Sequence, residues 1–167
     1  MKNQNRQRPR PDLPAFIEIE GTTLVIRNGK IPHHEILRSF ESLTHLVDVY
    51  HERVLSQKTR TIRLLGKKNP AKILNTLLGY EVQAAYKRIH CPDLVTARYV
   101  RLFSELGCHS IQLPYDPTLT AELIPEFETT VDCFTRKIRS LFPSDITRQQ
   151  YIIQRVFAII RQQLRTA

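Results

Sequence analysis

Apolar positions recur along much of the chain at helical spacing. Ile36, Phe40, Leu43, Val47, Tyr50 and Val54 alternate steps of four and three, with Arg38, Glu41, Asp48 and Glu52 opposite them. That pattern predicts an amphipathic helix of about five turns. A second stripe joins Val95, Tyr99, Leu102 and Leu106, opened by Asp93 and closed by Gly107, residue types that suit the two ends of a helix. Phe127, Val131, Phe134, Ile138 and Leu141 form a third stripe, in a helix that begins after Thr118 and bends or restarts at Pro125. Pro143 stops it, Ser144 can cap the next, and Ile146, Ile153, Phe157, Ile160 and Leu164 make the final stripe. Asn69-Pro70 also reads as a helix start. It is followed by Ile73, Leu77, Tyr80 and Ala84 on one side, with the helix ending near Ile89-His90.

Two stretches depart from this periodicity. Phe16–Glu20 alternates and Thr23–Arg27 is rich in β-branched residues, with Gly21-Thr22 between them and the turn dipeptide Asn28-Gly29 after. This predicts a short hairpin, which is marginal alone and must lie on something else. Ser110–Leu113 suits a short extended piece before the turn at Pro114-Tyr115-Asp116-Pro117. The expected fold is mainly α, a single-domain bundle of about five helices with a short N-terminal β-hairpin. Residues 1–13 read as a basic, flexible arm, rich in Pro, Asn and Gln, ahead of one domain over 14–167.

Composition adds little to the fold but much to the choice of partner. The 167 residues hold 41% hydrophobic and 25% charged side chains, as an ordinary globular chain does, and three unevenly spaced Cys. No apolar run approaches the ~20 residues that span a bilayer, and no apolar core follows the basic start as in a secretory signal. The expectation is a cytoplasmic chain with reduced thiols and no membrane contact. The net charge is +9 and the pI near 9.8, an excess whose first candidate partner is a polyanion. Its distribution is uneven. Between Glu52 and Glu81 there is no carboxylate, while Arg53, Lys58, Arg60, Arg63, Lys67, Lys68 and Lys72 fall in twenty residues. The last segment carries Arg148, Arg155, Arg161 and Arg165 with no acid after Asp145. Acids gather instead at Glu122, Glu126, Glu128 and Asp132, a patch able to meet a neighbour's basic face.

Each segment that suggests chemistry also has a plainer role. Gly66-Lys67-Lys68-Asn69-Pro70-Ala71-Lys72 would place free helix amides and three ammonium groups around one point, fit for a backbone phosphate. A solvated loop is the alternative, and the nucleotide P-loop spacing is absent. His90-Cys91 and Cys108-His109 are adjacent pairs, whereas zinc ligands usually lie two or more residues apart. His33-His34-Glu35 lacks the second histidine of a metalloprotease motif, since Arg38 stands four after His34. Cys91, Cys108 and Cys133 fit no Cys/His signature. No cofactor or metal is called for and no enzyme motif is present. Tyr86, beside Lys87-Arg88, and Tyr115 are aromatics outside the stripes that bases could stack upon. Without helix-turn-helix or RNP-like features, sequence-independent contact with the phosphate backbone of RNA or DNA is favoured over base readout. The candidate contacts are the seven cations from Arg53 to Lys72, joined by Lys87, Arg88, Arg98, Arg101, Arg148 and Arg155. The alternative is an assembly factor whose basic face docks on an acidic protein.

The stripe Ile36–Val54, the basic run Arg53–Lys72 and the arginine-bearing segment 146–165 together resemble the small subunits of CRISPR effector complexes. The likeness spans most of the chain at the level of architecture and charge. It implies a non-catalytic subunit, with copies of itself lying along a guide RNA. Their basic faces would hold target or displaced strand in antiviral defence, and other subunits would cleave.

Overall fold

The computed structural model describes the backbone of residues 17–20, 23–26 and 33–165, and side chains from Ile36 to Arg165. The basic arm and the side chains of His33, His34 and Glu35 lie outside the described residues. Strands β1 (Ile17–Glu20) and β2 (Thr23–Ile26) form an antiparallel ladder with Ile17 opposite Ile26. Helix α1 (His33–Val49) follows and widens into a π-helical turn over Tyr50–Val54. Then come β3 (Thr59–Arg63), β4 (Ala71–Thr76), β5 (Gly79–Ala84), β6 (Lys87–Cys91), α2 (Leu94–Leu106), β7 (Ser110–Pro114), α3 (Pro117–Leu141) and α4 (Ile146–Arg165).

The fold is therefore α/β, with four helices and five mid-chain strands in two small antiparallel sheets, β3-β7 and β4-β5-β6. This corrects the expectation of a mainly-α bundle of five helices whose β-structure lay in an N-terminal hairpin. The overturned element is the helix expected from Asn69-Pro70 to His90. Its residues form a three-stranded meander, with Ile73 opposite Val82 and Val82 opposite Ile89. The spacing of Ile73, Leu77, Tyr80 and Ala84 imitates a helical stripe. However, Leu77 is fully exposed, at 104%, in the turn between β4 and β5. The operative period is two: Ala71-Ile73, Tyr80-Val82-Ala84 and Ile89-Cys91 line the face packed on α2, while Lys72, Gln83, Arg88 and His90 occupy the other. Gly79, at φ +121, follows the exposed Leu77-Leu78 pair where the chain reverses.

The helices follow their stripes more closely. Every member of the Ile36–Val54 series is buried. Asp93 caps α2 by accepting from the Thr96 amide at 2.7 Å, and Gly107 ends it at φ +81. α3 runs unbroken through Pro125, capped by Asp116. α4 is capped by Asp145, whose carboxylate accepts from the Arg148 amide at 2.9 Å, rather than by Ser144. α1, α3 and α4 pack on one another, and α2 lies between α3 and the meander. Phe103 stands in the core between Tyr50, Tyr99 and Phe127. Two tyrosines reach β7: the Gln112 amide donates to Tyr50 Oη at 2.9 Å and Tyr99 Oη donates to the Gln112 carbonyl at 2.8 Å. No helix among the described residues is long and apolar enough to cross a membrane.

Candidate nucleic-acid interface

The acid-free run Arg53–Lys72 spreads over a π-helical turn, two strands and the loops between them, which sorts its cations. Arg53, on the π-helical turn, reaches Glu122 of α3 at 3.0 Å. Lys58 stands over the Tyr115 ring, its ammonium 5.6 Å from the centroid. Arg60 and Arg63 are exposed on β3, one on each face of that strand, and make no salt bridge among the described residues. The remaining three, Lys67, Lys68 and Lys72, belong to the loop 64–70 and the start of β4.

No helix begins at Asn69-Pro70, so the expected phosphate cradle of helix amides is absent there. Pro70 leads straight into β4 because Ala71 pairs with Ala84. The loop is held instead by α2's C-terminal end. The Leu64 amide donates to the His109 carbonyl at 2.7 Å and the Gly66 amide to the Cys108 carbonyl at 3.1 Å. A Cβ on Gly66 would overlap the His109 imidazole, and one on Gly107 would lie 2.7 Å from the Lys68 amide nitrogen. Loop and helix end are thus in backbone contact.

This contact gathers cations from distant segments. The Lys68 ammonium lies 5.5 Å from the Phe157 ring centroid on α4. Burial there, then the nearby Arg139 guanidinium, push it below the ordinary lysine value, while Glu105 pulls the other way. Arg161, one turn after Phe157, donates to the Leu106 carbonyl at 2.8 Å, placing a positive charge at the negative end of α2. Arg161 and Arg165 both lie close enough to lower the Cys108 thiol, although burial dominates and leaves it at about 12. On the loop's other side the Lys87 ammonium donates to the Leu64 carbonyl at 3.5 Å. Lys72 and Arg88 flank Gln83 on the sheet face turned from α2. Arg88 reaches Glu81 only at 3.8 Å.

The other candidates are placed elsewhere. Arg98 and Arg101 both bond the half-buried carboxylate of Glu128, Arg98 through two of its nitrogens. Arg148 pairs with Asp145 at 3.4 Å and lies over Phe142. Arg155 lies over Tyr151, 5.5 Å from its centroid. Glu122 and Glu128 of the acidic stretch are accordingly engaged within the chain. Arg139 and His109 also reach the loop, from outside the basic segments of the sequence. Local spacing carries no signal for them, because the loop that meets them lies about forty to seventy residues away. His90 and Cys91 occupy opposite faces of β6, and no group of three His, Cys, Asp or Glu among the described residues is arranged to hold a metal.

No family model, no curated protein and no solved structure matches this chain.

Proposed function

We propose that the protein is a non-catalytic, sequence-independent nucleic-acid-binding subunit of a larger nucleoprotein complex. The supporting observation is the gathering around the loop 64–70 of Lys67, Lys68, Lys87, Arg139 and Arg161, drawn from four separate stretches of chain, with Lys72 and Arg88 on the adjoining sheet face. Cations so gathered repel one another, Arg139 adding to burial in lowering Lys68, and a phosphate backbone relieves that cost by neutralising them while it sheds its own condensed counterions. A solvated helix face has no such need to bring distant cations together. Arg60 and Arg63 on β3 extend the same surface chemistry, whereas Arg98 and Arg101 are already neutralised by Glu128.

Membership in a CRISPR effector complex belongs to this proposal as its most specific form. Two of the features behind that resemblance, the Ile36–Val54 stripe and the 146–165 segment, form α1 with its π-helical extension and α4. The third, the basic run, is strand and loop from Lys58 onward, with only Arg53 on the π-helical turn. A projecting, almost fully exposed Leu77-Leu78 tip, far along the sheet from Lys72 and Arg88, is consistent with contacts to other subunits.

The test is binding to single-stranded DNA, duplex DNA and RNA across a salt series. The affinity should fall with a log-log slope of about −0.7 to −0.9 per phosphate contacted. Lys67→Glu with Lys72→Glu, both at exposed positions, should weaken all sequences alike. Absence of binding at ~100 mM salt, with one acidic protein co-purifying, would replace this reading by the assembly-factor alternative.

A further inference from the structure

The turn between β5 and β6 presents an aromatic ring that the fold does not use. Tyr86 is 83% exposed, and no hydrogen bond, ring contact or cation contact of its side chain occurs among the described residues. The turn that carries it is a costly one. Ala85 sits at φ +51, the one non-glycine residue with a positive φ among those described, at the first position of a two-residue turn where glycine is usual. A strained backbone that holds a large apolar ring in water does nothing for packing.

The surroundings of Tyr86 are cationic. The pair Ala84–Lys87 closes the turn, and the next row of the sheet reads Lys72, Gln83, Arg88 across three strands. At ~4.8 Å per strand the Cα atoms of Lys72 and Arg88 lie about 10 Å apart, one row behind the turn that carries Tyr86, and Arg88 is only loosely paired, 3.8 Å from Glu81. Lys87 ties the same end of the sheet to the loop that carries Lys67 and Lys68. The exposed leucines offer a useful contrast. Leu77 and Leu78 lie at the opposite end of the meander, where the last pairs are Asn75–Tyr80 and Thr76–Gly79 and no Lys or Arg is near in the ladder. Tyr115 and Tyr151, the other exposed tyrosines beside cations, already have the Lys58 ammonium and the Arg155 guanidinium over their rings. Among the described exposed aromatics, only Tyr86 joins an unused ring face to a cationic row.

Resting on the nucleic-acid reading above, we infer that Tyr86 is a base-stacking residue and that the interface takes single-stranded nucleic acid in preference to duplex. An unpaired base exposes a π-face to the phenol ring, while Lys72 and Arg88 meet the phosphates on either side. In a duplex the bases are stacked on one another, so the ring has nothing to cover and only the phosphate contacts remain.

The experiment compares wild type, Tyr86→Ala, Tyr86→Phe and Tyr86→Trp on a short single-stranded oligonucleotide and on its duplex at one fixed salt concentration. The position is exposed, so thermal denaturation should confirm that all four fold alike. Tyr86→Ala should lose about tenfold in affinity for the single strand and little for the duplex. Tyr86→Phe should retain affinity, since the ring and not the hydroxyl stacks. The chain has no tryptophan, so Tyr86→Trp supplies a single reporter whose emission should fall on binding the single strand. Equal losses on both forms, or no loss on either, would overturn the stacking role and leave the general interface standing. Wild type that binds neither form would remove the nucleic-acid reading itself, and this inference with it.

Discussion

The amide nitrogen of Lys68 lies 2.7 Å from where a Cβ on Gly107 would stand, so the basic loop rests directly on a helix end that has no side chain. Gly107→Ala should therefore fail twice. Its φ of +81 costs an L-residue about 1–2 kcal/mol, and the new methyl displaces loop backbone rather than a yielding side chain. Denaturant unfolding should show the stability loss, and nucleic-acid affinity should fall with it.

Ala85→Gly should act in the opposite direction. Glycine accepts the φ of +51 without the steric penalty that alanine carries there. A gain of about 0.5–1 kcal/mol is expected, read as a raised midpoint in denaturant. A loss would show that Ala85 contributes packing outside the turn.

Glu128→Ala should be the most damaging change at a charged position of α3. Arg98 and Arg101 would be left half-buried and unpaired, at a cost of about 1–3 kcal/mol after allowance for their partial exposure. Arg98→Ala, by contrast, should leave nucleic-acid affinity within about twofold, because its charge is already cancelled. Parallel stability and binding titrations on the two variants check both statements.

Glu105 gives a pH signature. Burial raises its pKa above the ordinary carboxylate value, against the lowering pull of Arg101 and the Ala71 amide, with Asp132 and Glu128 raising it slightly. A folded-state pKa above the unfolded one stabilises the fold fully below the unfolded value, and that stability is lost as pH rises through the folded one. Glu105→Gln should therefore be more stable than wild type at neutral pH, with the difference vanishing on acidification. Thermal midpoints across a pH series decide it.

The thiols should divide sharply. Cys133 is exposed, whereas Cys91 and Cys108 are buried and pushed up to about 11 and about 12. Because the thiolate is the reactive form, a thiol reagent near neutral pH should modify one cysteine quickly. The other two should react only on unfolding.

What the sequence made legible was its helices, because each buries most of one stripe, Ile146 at the start of the last being the exposed exception: the series from Ile36 to Val54 needed no partner to be recognised. The meander was hidden by a coincidence of spacing. Ile73, Leu77, Tyr80 and Ala84 satisfy a helix, and only the solvent exposure of Leu77 separates that pattern from two strands and a turn. Capping logic misled for the same reason, since Asn69-Pro70 suits a strand entry as well as a helix start. Of the candidate cations, the run Arg53–Lys72 was readable as charge. Which of its members stay unpaired depends on carboxylates tens of residues away, such as Glu122 for Arg53. Arg139 enters the site only because a loop seventy residues earlier folds back on α2.

The two tyrosines on Gln112 have a consequence for behaviour at high concentration. An edge strand with free amides and carbonyls is a template on which other chains can add and grow into aggregates. On β7, Gln112 has both backbone groups occupied, by Tyr50 and Tyr99, and Pro114 has no amide to offer. A passing strand finds no continuous ladder there. Two phenolic hydroxyls thus do at this edge what lysines or prolines do elsewhere. Replacing both with phenylalanine would keep the rings in the core and the edge covered, but leave the Gln112 amide and carbonyl without their partners.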